Sequence, residues 1–187
     1  MEHFYQNIDG FMSHKNTIML DFVINEMPSN CTWVELGSWT GKSAAYCSVE
    51  LLNKNKLGRF VTIDSWEGGV ELRDNDLIIN KTLKSVFLEN VQPIIDNIEV
   101  IQSMSWDASR KFSDESIDFC YVDAGHTYED VTKDLNAWWP KIKKDGFFGG
   151  DDYTKGHLGL MQAVQEFFAS KNIKVKKMGR CWLIRKP

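Results

Sequence analysis

Cysteine is scarce in this chain, and long apolar runs are missing. The four cysteines, Cys31, Cys47, Cys120 and Cys181, form no C-x-x-C pair, so we expect reduced, mostly buried thiols rather than a disulfide framework. No segment approaches the ~18 consecutive apolar residues that a membrane span needs, and residues 1–10 lack the basic-then-apolar order of a signal peptide. These absences predict a cytoplasmic protein that does not associate with membranes.

Repeats, low-complexity stretches and evident linkers are also absent. The 187 residues are 43% hydrophobic and 26% charged, with a formal net charge of −4, which is too apolar and too evenly mixed for a disordered protein. We expect one domain over 1–187, in which a helical N-terminal segment at 1–30 precedes a core at 31–187.

Acidic residues are absent from Lys171 onward, where seven basic residues occur. These alternate with apolar residues such as Ile173 and Trp182, which is typical of an edge strand whose polar face carries lysine. We therefore predict a solvated sheet edge rather than a nucleic-acid interface. The basic residues are Lys171, Lys174, Lys176, Lys177, Arg180, Arg185 and Lys186.

Periodicity along the chain indicates strands that alternate with helices, which is typical of an α/β fold with a mostly parallel sheet covered on both faces. Strands are predicted at 32–36, 60–63, 98–101, 117–122, 146–149, 174–178 and 181–185. Helices are predicted at 15–26, 42–53, 77–90, 107–112, 128–139 and 158–169. Gly179 between the last two strands indicates a hairpin.

Two glycines follow the first predicted strand, where open α/β sheets bind ligands. Gly37 permits a tight turn, and Gly41 opens a helix whose free amides favour a carboxylate or phosphate. The G-x-x-x-G spacing matches neither the dinucleotide-binding fingerprint nor the phosphate loop. A turn that only lets the helix pack therefore stays an alternative.

Asp64 ends the second predicted strand, 27 residues after Gly37. Nucleoside-binding folds place a carboxylate there to accept hydrogen bonds from the ribose hydroxyls. A helix cap or a solvated loop acid is the alternative interpretation.

Three more acids follow the fourth and fifth strands. If these strands are neighbours, Asp123, Asp151 and Asp152 can converge on one hard cation with oxygen ligands, such as Mg²⁺. The alternative is that Asp151 and Asp152 cap the following helix. Zinc is not indicated, because only His126 is near in the sequence and no cysteine accompanies it.

His126 lies three residues past Asp123, on the rim of the same predicted site. Its neutral imidazole could accept a proton from a substrate hydroxyl whose pKa a bound cation lowers. A structural role at a helix start is the alternative, because Thr127 and Tyr128 follow. His157, beyond the Asp151-Asp152 turn, is a weaker candidate for substrate contact.

Four motifs occur in a fixed order: Glu35-x-Gly37-x-x-x-Gly41-x-Ser43, Asp64-Ser65-Trp66-Glu67-Gly68, Val122-Asp123-x-x-His126-x-Tyr128 and Gly150-Asp151-Asp152-Tyr153. Together they resemble class I S-adenosylmethionine-dependent methyltransferases over nearly the whole chain from about Thr32. Within that class the chain is most similar to the macrocin O-methyltransferase type and more distantly similar to catechol O-methyltransferase. The resemblance implies a Rossmann-like seven-stranded sheet, mostly parallel with one antiparallel strand that the closing hairpin supplies.

The resemblance also implies where S-adenosylmethionine binds. The residues expected at its methionine part are Glu35, Gly37, Ser38 and Gly41. Asp64 and Ser65 are expected at its ribose, and Ser105 and Trp106 at its adenine. Asp123 is also expected to border the cofactor. The metal ligands would be Asp123, Asp151 and Asp152, although catechol O-methyltransferase has an asparagine as its third ligand. The catalytic lysine of that relative corresponds to His126, and the candidate acceptor contacts are Trp66, Tyr153 and His157.

This interpretation predicts in-line methyl transfer to a hydroxyl of a sugar, a glycoconjugate or another small molecule. Metal coordination would lower the pKa of that hydroxyl, and His126 would take its proton. The loop at 65–76 could close over the acceptor, with an ordinary surface loop as the alternative. A homo-oligomer is compatible with the sequence, but no feature encodes one.

Two other functions stay open at this point. A metal-dependent hydrolase or phosphotransferase would use the same acids, although the sequence has no phosphate loop. A nucleoside-binding module without catalysis would need only Asp64 and the glycine turn.

Overall fold

The computed structural model of the chain describes residues 1–69 and 72–187. Within these ranges the α-helices are α1 His14–Glu26, α2 Lys42–Asn53, α3 Asp76–Ile79, α4 Leu83–Asn90, α5 Ser105–Ala108, α6 Tyr128–Trp138 and α7 Leu158–Ala169. The strands are β1 Cys31–Leu36, β2 Leu57–Asp64, β3 Ile98–Gln102, β4 Ile117–Val122, β5 Ile142–Gly150, β6 Lys176–Met178 and β7 Cys181–Arg185.

The strands form one sheet in the order β3-β2-β1-β4-β5-β7-β6. Strands β1 to β5 pair in parallel, whereas β7 runs antiparallel to both of its neighbours. The predicted seven-stranded, mostly parallel sheet is therefore confirmed, and the closing hairpin supplies the antiparallel strand.

Helices cover both faces of the sheet. Trp33 of β1 packs in an apolar cluster with residues of α1 and α2, whereas its neighbour Val34 packs in a second cluster with α5, α6 and α7. Successive side chains of a strand point to opposite faces, so both faces of β1 are buried. The four cysteines are buried and free of disulfide bonds, as predicted.

The helix predicted at 77–90 is wrong in its continuity, because the chain forms α3 and α4 with a break at Lys81, whose φ is +56°. The Thr82 amide donates to the Leu77 carbonyl at 2.9 Å, and the Lys81 amide donates to the Ile78 carbonyl at 3.0 Å. This Schellman pattern ends a helix at a left-handed residue, usually glycine. A lysine at that position gives no sign of the end in the sequence.

The other differences are small. The helix predicted at 107–112 begins earlier, as α5, and continues as a 3-10 turn at Ser109–Lys111. Strands β2 and β5 extend beyond their predicted bounds at both ends. Among the described residues, no helix has the length and apolar character needed to cross a membrane.

Candidate functional site

The candidate site lies where the order of the strands reverses, between β1 and β4. Backbone hydrogen bonds hold the loops at this edge together: the Asp123 amide donates to the Leu36 carbonyl at 2.7 Å, and the Gly37 amide donates to the Ile63 carbonyl at 2.8 Å. Ligands of open α/β sheets bind in the crevice at such a reversal. The topology therefore brings the ends of β1, β2, β4 and β5 to one place.

Gly37 is required by a close approach of two backbones. Its φ is +85°, and a Cβ atom built there would lie 1.9 Å from the Asp123 carbonyl oxygen. Gly41, at the start of α2, has a φ of +91° and would clash with Val91 of the neighbouring loop. Close packing thus explains why glycine occupies both positions, which agrees with the alternative interpretation of a turn that lets the helix pack.

Glu35 is fully buried near the end of β1. Thr62 Oγ1 donates to Glu35 Oε2 at 2.9 Å, but Glu35 Oε1 is buried without a hydrogen-bond partner. Burial raises the pKa of Glu35 to about 7. The neighbouring hydroxyls of Ser43 and Thr62 have the opposite, smaller effect and lower this pKa. An acceptor oxygen left over at the switch point suits a ligand with a donor or a positive charge.

Asp64 joins the loops that follow β1 and β2. Its carboxylate accepts hydrogen bonds from the amides of Ser38 at 2.8 Å, Trp39 at 2.9 Å and Trp66 at 2.8 Å. Two carboxylate oxygens offer about four acceptor positions, so one position remains for a hydrogen-bond donor of a ligand. Ser65 follows on the same loop, and its carbonyl accepts a hydrogen bond from Gln102 at 3.1 Å.

Ser105 and Trp106 begin α5, just after β3. The Ser105 carbonyl accepts a hydrogen bond from Trp138 Nε1 at 3.1 Å, and Lys133 Nζ lies 4.4 Å from the centre of the Trp106 ring. The indole of Trp106 is partly exposed.

Two of the three predicted acceptor contacts are packed into the interior. Trp66 is buried against Phe87, with ring centres 5.0 Å apart. Tyr153 is buried, and its hydroxyl accepts a hydrogen bond from Gln165 at 3.0 Å. The loop predicted to cover the acceptor, 65–76, contains residues 70 and 71, which lie outside the described residues.

The three acids after β4 and β5 converge as predicted. Asp123, Asp151 and Asp152 each offer a carboxylate oxygen within 4.8 Å of the others. Oxygen donors at this spacing fit a hard divalent cation. Asp151 and Asp152 are buried, and burial together with the charge of Asp151 raises the pKa of Asp123 well above its usual range.

A guanidinium group that the sequence analysis did not place here contacts two of these acids. Arg180 Nε donates to Asp151 Oδ1 at 3.0 Å, and its terminal nitrogen donates to Asp152 Oδ1. The interpretation of the whole basic segment as a solvated edge is therefore wrong for Arg180, although Lys176 and Lys177 on β6 are exposed. The three predicted acids were themselves a sign that a basic group was needed nearby.

Asn16 of α1 is a second residue that sequence reasoning missed. It is fully buried, and its amide donates to Asp151 Oδ2. Its position inside the apolar pattern of the predicted N-terminal helix was the available sign, because buried polar groups need partners. Asn16 and Arg180 lower the pKa of Asp151, but burial has the larger effect and raises it.

Both histidines of the prediction adjoin the acids. His126 Nε2 lies 3.0 Å from Asp152 Oδ2, and His157 Nε2 lies 3.6 Å from Asp152 Oδ1. The two imidazole centres are 4.3 Å apart. The site therefore contains two histidines, whereas the sequence predicted only His126 close to the acids.

Two surface clefts of about 250 and 240 Å³ lie elsewhere, at the opposite edge of the sheet. Phe147 and Arg185 line both of them. The chemistry-bearing residues are thus separate from these clefts.

The chain was compared with known proteins. A family model described as a methyltransferase domain matches residues 34–153, which is more than half of the chain. No curated protein sequence matches.

Solved structures share the fold. The O-methyltransferase NovP superposes with a TM-score of 0.69 at 15% identity, covering 92% of this chain and 79% of NovP. CalS11, a TDP-rhamnose 3'-O-methyltransferase, has a TM-score of 0.61 at 15% identity, covering 91% of this chain and 78% of CalS11. A candidate methyltransferase from Streptococcus mutans in complex with SAH has a TM-score of 0.65 at 13% identity, covering 95% of this chain and 100% of that one.

These findings agree with the fold and with the motifs on which the sequence resemblance depends. The chain belongs to the methyltransferase-domain family and is a class I S-adenosylmethionine-dependent methyltransferase.

Proposed function

We propose that the protein transfers the methyl group of S-adenosylmethionine to a hydroxyl of a sugar, a glycoconjugate or another small molecule, and that His126 is the base. The observation that carries this proposal is the position of His126. It lies 3.0 Å from Asp152, beside Asp123 and next to the crevice between β1 and β4. A base in that place can reach an acceptor oxygen that faces the cofactor.

The residues after β1, β2 and β3 suit S-adenosylmethionine. The unpartnered Oε1 of Glu35 would accept a hydrogen bond from the ammonium group of the methionine part, close to Gly37, Ser38 and Gly41. The remaining acceptor position of Asp64 would take a ribose hydroxyl, beside Ser65. The ring of Trp106, at the start of α5 with Ser105, would contact the adenine.

The mechanism follows from alignment and proton removal. Methyl transfer from a sulfonium is an in-line displacement, so the protein holds the acceptor oxygen, the methyl carbon and the sulfur in line and excludes water. His126 accepts the proton of the hydroxyl at an imidazole nitrogen. Asp152, 3.0 Å from His126 Nε2, fixes the orientation of the ring and stabilises the imidazolium that forms.

A hard divalent cation such as Mg²⁺ fits the donor set of this site. Asp123, Asp151 and Asp152 would hold it, and Arg180 would give up part of its contact with the last two. Such a cation supplies electrostatic activation of the acceptor hydroxyl. The chain's own contribution is to gather three carboxylates and to offset their repulsion with Arg180 and Asn16.

The acceptor class is supported by the neighbours and by the charges of the chain. CalS11 is a TDP-rhamnose 3'-O-methyltransferase and NovP an O-methyltransferase, so this fold accommodates sugar hydroxyls. A nucleic-acid acceptor is disfavoured because basic residues near the C-terminus serve the fold. Lys176 lies over the Phe22 ring at 4.5 Å, and Lys186 donates to the carbonyl of Ile142 at 2.6 Å.

Calorimetric titration with S-adenosylmethionine is the test of the cofactor site. We expect micromolar-range binding that Glu35→Gln weakens. Asp64→Ala is a poorer probe, because it also removes three hydrogen bonds that hold the loops. Acceptor screening with sugars and phenols would follow. Absence of cofactor binding with and without Mg²⁺ would contradict the proposal.

A further inference from the structure

The geometry points to a second metal site, formed by His126, Asp152 and His157, that takes a borderline transition-metal cation such as Zn²⁺. The ligand atoms of these three residues lie within 4.8 Å of one another. Two imidazole nitrogens and one carboxylate oxygen, with a fourth position left for water, are a donor set that zinc adopts in open sites. Imidazole nitrogen also favours such metals over Mg²⁺.

The backbone brings the two histidines together independently of any occupant. His126 lies in the loop between β4 and α6, and His157 is the residue before α7. Gly159 lets these segments touch, because a Cβ atom there would lie 2.9 Å from the Tyr128 amide nitrogen and 3.5 Å from the His126 carbonyl oxygen. The Met161 amide donates to the His157 carbonyl at 3.1 Å, which joins His157 to the first turn of α7.

The histidine site differs from the carboxylate site in both chemistry and charge. They share only Asp152. A hard cation on the three carboxylates competes with Arg180, which contacts Asp151 and Asp152. A cation between the imidazoles needs only one oxygen of Asp152, and Asp152 Oδ2 faces His126 at 3.0 Å. The nitrogen ligands thus select a softer cation beside the hard one.

Other soft ligands do not offer an equivalent site in the described part of the chain. The cysteines are buried, and burial raises the pKa of Cys181, which keeps this thiol protonated beside Asp151. His3 is paired with Glu50 at 2.7 Å, and His14 lies on the exposed end of α1. Over residues 1–69 and 72–187, the other group of three metal-capable side chains is the carboxylate cluster.

Binding of Zn²⁺ would have a consequence for catalysis, and this consequence alone rests on the proposed function. A metal on His126 Nε2 would replace the contact with Asp152 that stabilises the imidazolium and would lower the basicity of the other ring nitrogen, so Zn²⁺ would inhibit methyl transfer. Mg²⁺ prefers oxygen ligands, so it would not displace Zn²⁺ from His126 and would not relieve this inhibition.

The test is a Zn²⁺ titration of the full chain without a histidine tag, in competition with a chromophoric chelator. We expect one ion per chain. His157→Ala should weaken binding at least about tenfold, since even outer-shell substitutions cost about 10–100-fold. Asp123→Asn removes a ligand of the carboxylate site alone and should weaken Zn²⁺ binding much less than His157→Ala does. His14→Ala, the matched control, should leave Zn²⁺ affinity unchanged. Absorption of bound Co²⁺ should show nitrogen ligation that His157→Ala abolishes.

Three results would overturn the site: no Zn²⁺ binding, equal binding by His157→Ala, or equal loss in Asp123→Asn. His157→Gln, compared with the parent by circular dichroism and thermal melting, separates loss of a ligand from loss of the fold. Methyl transfer is assayed separately. If Zn²⁺ binds as expected but no acceptor is methylated under any condition, the proposed function fails while the metal site stands.

Discussion

Glu35 is buried at the end of β1 with one carboxylate oxygen that no donor reaches. Its pKa rises from an ordinary value of 4.5 to about 7, so the folded state holds a proton that the unfolded state releases between these values. Stability therefore falls as pH rises from about 4.5 through 7, by an upper bound of about 3 kcal/mol. Urea unfolding at several pH values should show Glu35→Gln to be less sensitive to pH than the parent.

A second acid sets the control for this measurement. Burial raises the pKa of Asp134 on α6 to about 7 as well, and the pKa values of Asp123 and Asp151 are also raised, so Glu35→Gln should remove only part of the pH dependence. Asp134→Asn should remove a similar part of the pH dependence, whereas Glu35→Gln should also weaken S-adenosylmethionine binding through the loss of its carboxylate at the methionine part. An unaltered pH profile in Glu35→Gln would show that its carboxylate is solvated.

His126 is predicted to matter for turnover and not for cofactor binding. General-base catalysis contributes about 10²–10⁴-fold, so His126→Ala should lower kcat at least about 100-fold and leave the Kd of S-adenosylmethionine nearly unchanged. His14→Ala is the matched control, because His14 is exposed at the first residue of α1 and belongs to neither group of metal-capable side chains. Equal turnover in His126→Ala would remove this residue from the mechanism.

The acids of the site could be predicted from the sequence, but their partners could not. Asp123, Asp151 and Asp152 follow strands, and strand ends meet at a common edge once the sheet is parallel. Asn16 and Arg180 belong to α1 and to the hairpin turn, and neither position follows from the strand pattern. His157 comes close to His126 because α7 packs against the loop after β4, and this packing does not follow from the sequence pattern.

At the scale of elements, apolar periodicity predicted the strands well, since each central strand is buried on both faces. Helix ends were harder to predict. α3 ends at Ile79, and the left-handed residue that follows its cap is Lys81 rather than the glycine that usually marks such ends. The strained position follows from tertiary packing, because Leu83 and Phe87 of α4 are drawn into the cluster with Trp66.

This strain makes a prediction for Lys81. A left-handed conformation costs a residue with a Cβ atom about 1–2 kcal/mol, and glycine avoids that cost at the expense of chain entropy. Lys81→Gly should therefore raise stability by about 0.5–1 kcal/mol. Ser85→Gly, at an exposed position inside α4, should lower it by about 0.5 kcal/mol. Thermal melting of both variants is the measurement, and destabilisation by Lys81→Gly would contradict the argument.

The side chain of Asn16 joins the N-terminal helix to the site. Asn16 Oδ1 accepts a hydrogen bond from the Ser13 amide at 2.9 Å, and its amide group donates to Asp151. Asn16→Asp keeps the first contact but sets two buried carboxylates against each other, which should cost about 2–3 kcal/mol. Ser13→Ala should cost about 1 kcal/mol or less. If urea unfolding finds the two variants equal, Asn16 acts only as a cap.

At the scale of the whole molecule, the site is assembled from both ends of the chain. Gly179 of the hairpin turn lies against α1, since a Cβ atom there would be 2.9 Å from the Lys15 carbonyl oxygen. Asn16 and Arg180 then reach Asp151 from these two segments. Residues so distant in sequence meet only after the sheet has formed, which is why no local pattern indicated them.

Arg180 gives the prediction that tests this assembly. In the absence of a divalent cation, Arg180 places a permanent positive charge against Asp151 and Asp152, so Arg180→Gln should lower the stability of the chelator-treated protein by about 2–3 kcal/mol. Lys177→Gln on the exposed face of β6 is the control and should change little.

Added Mg²⁺ then distinguishes a cation site from a purely structural ion pair. A ligand at 100 times its Kd stabilises by about 2.7 kcal/mol, and without the competing guanidinium the three carboxylates should bind Mg²⁺ more tightly. The Tm of Arg180→Gln should therefore rise more with Mg²⁺ than the Tm of the parent does. If Mg²⁺ shifts neither Tm, the carboxylates form an arginine-paired network that no hard cation enters. If Mg²⁺ shifts both equally, the ion does not compete with Arg180, which would contradict the proposed carboxylate site.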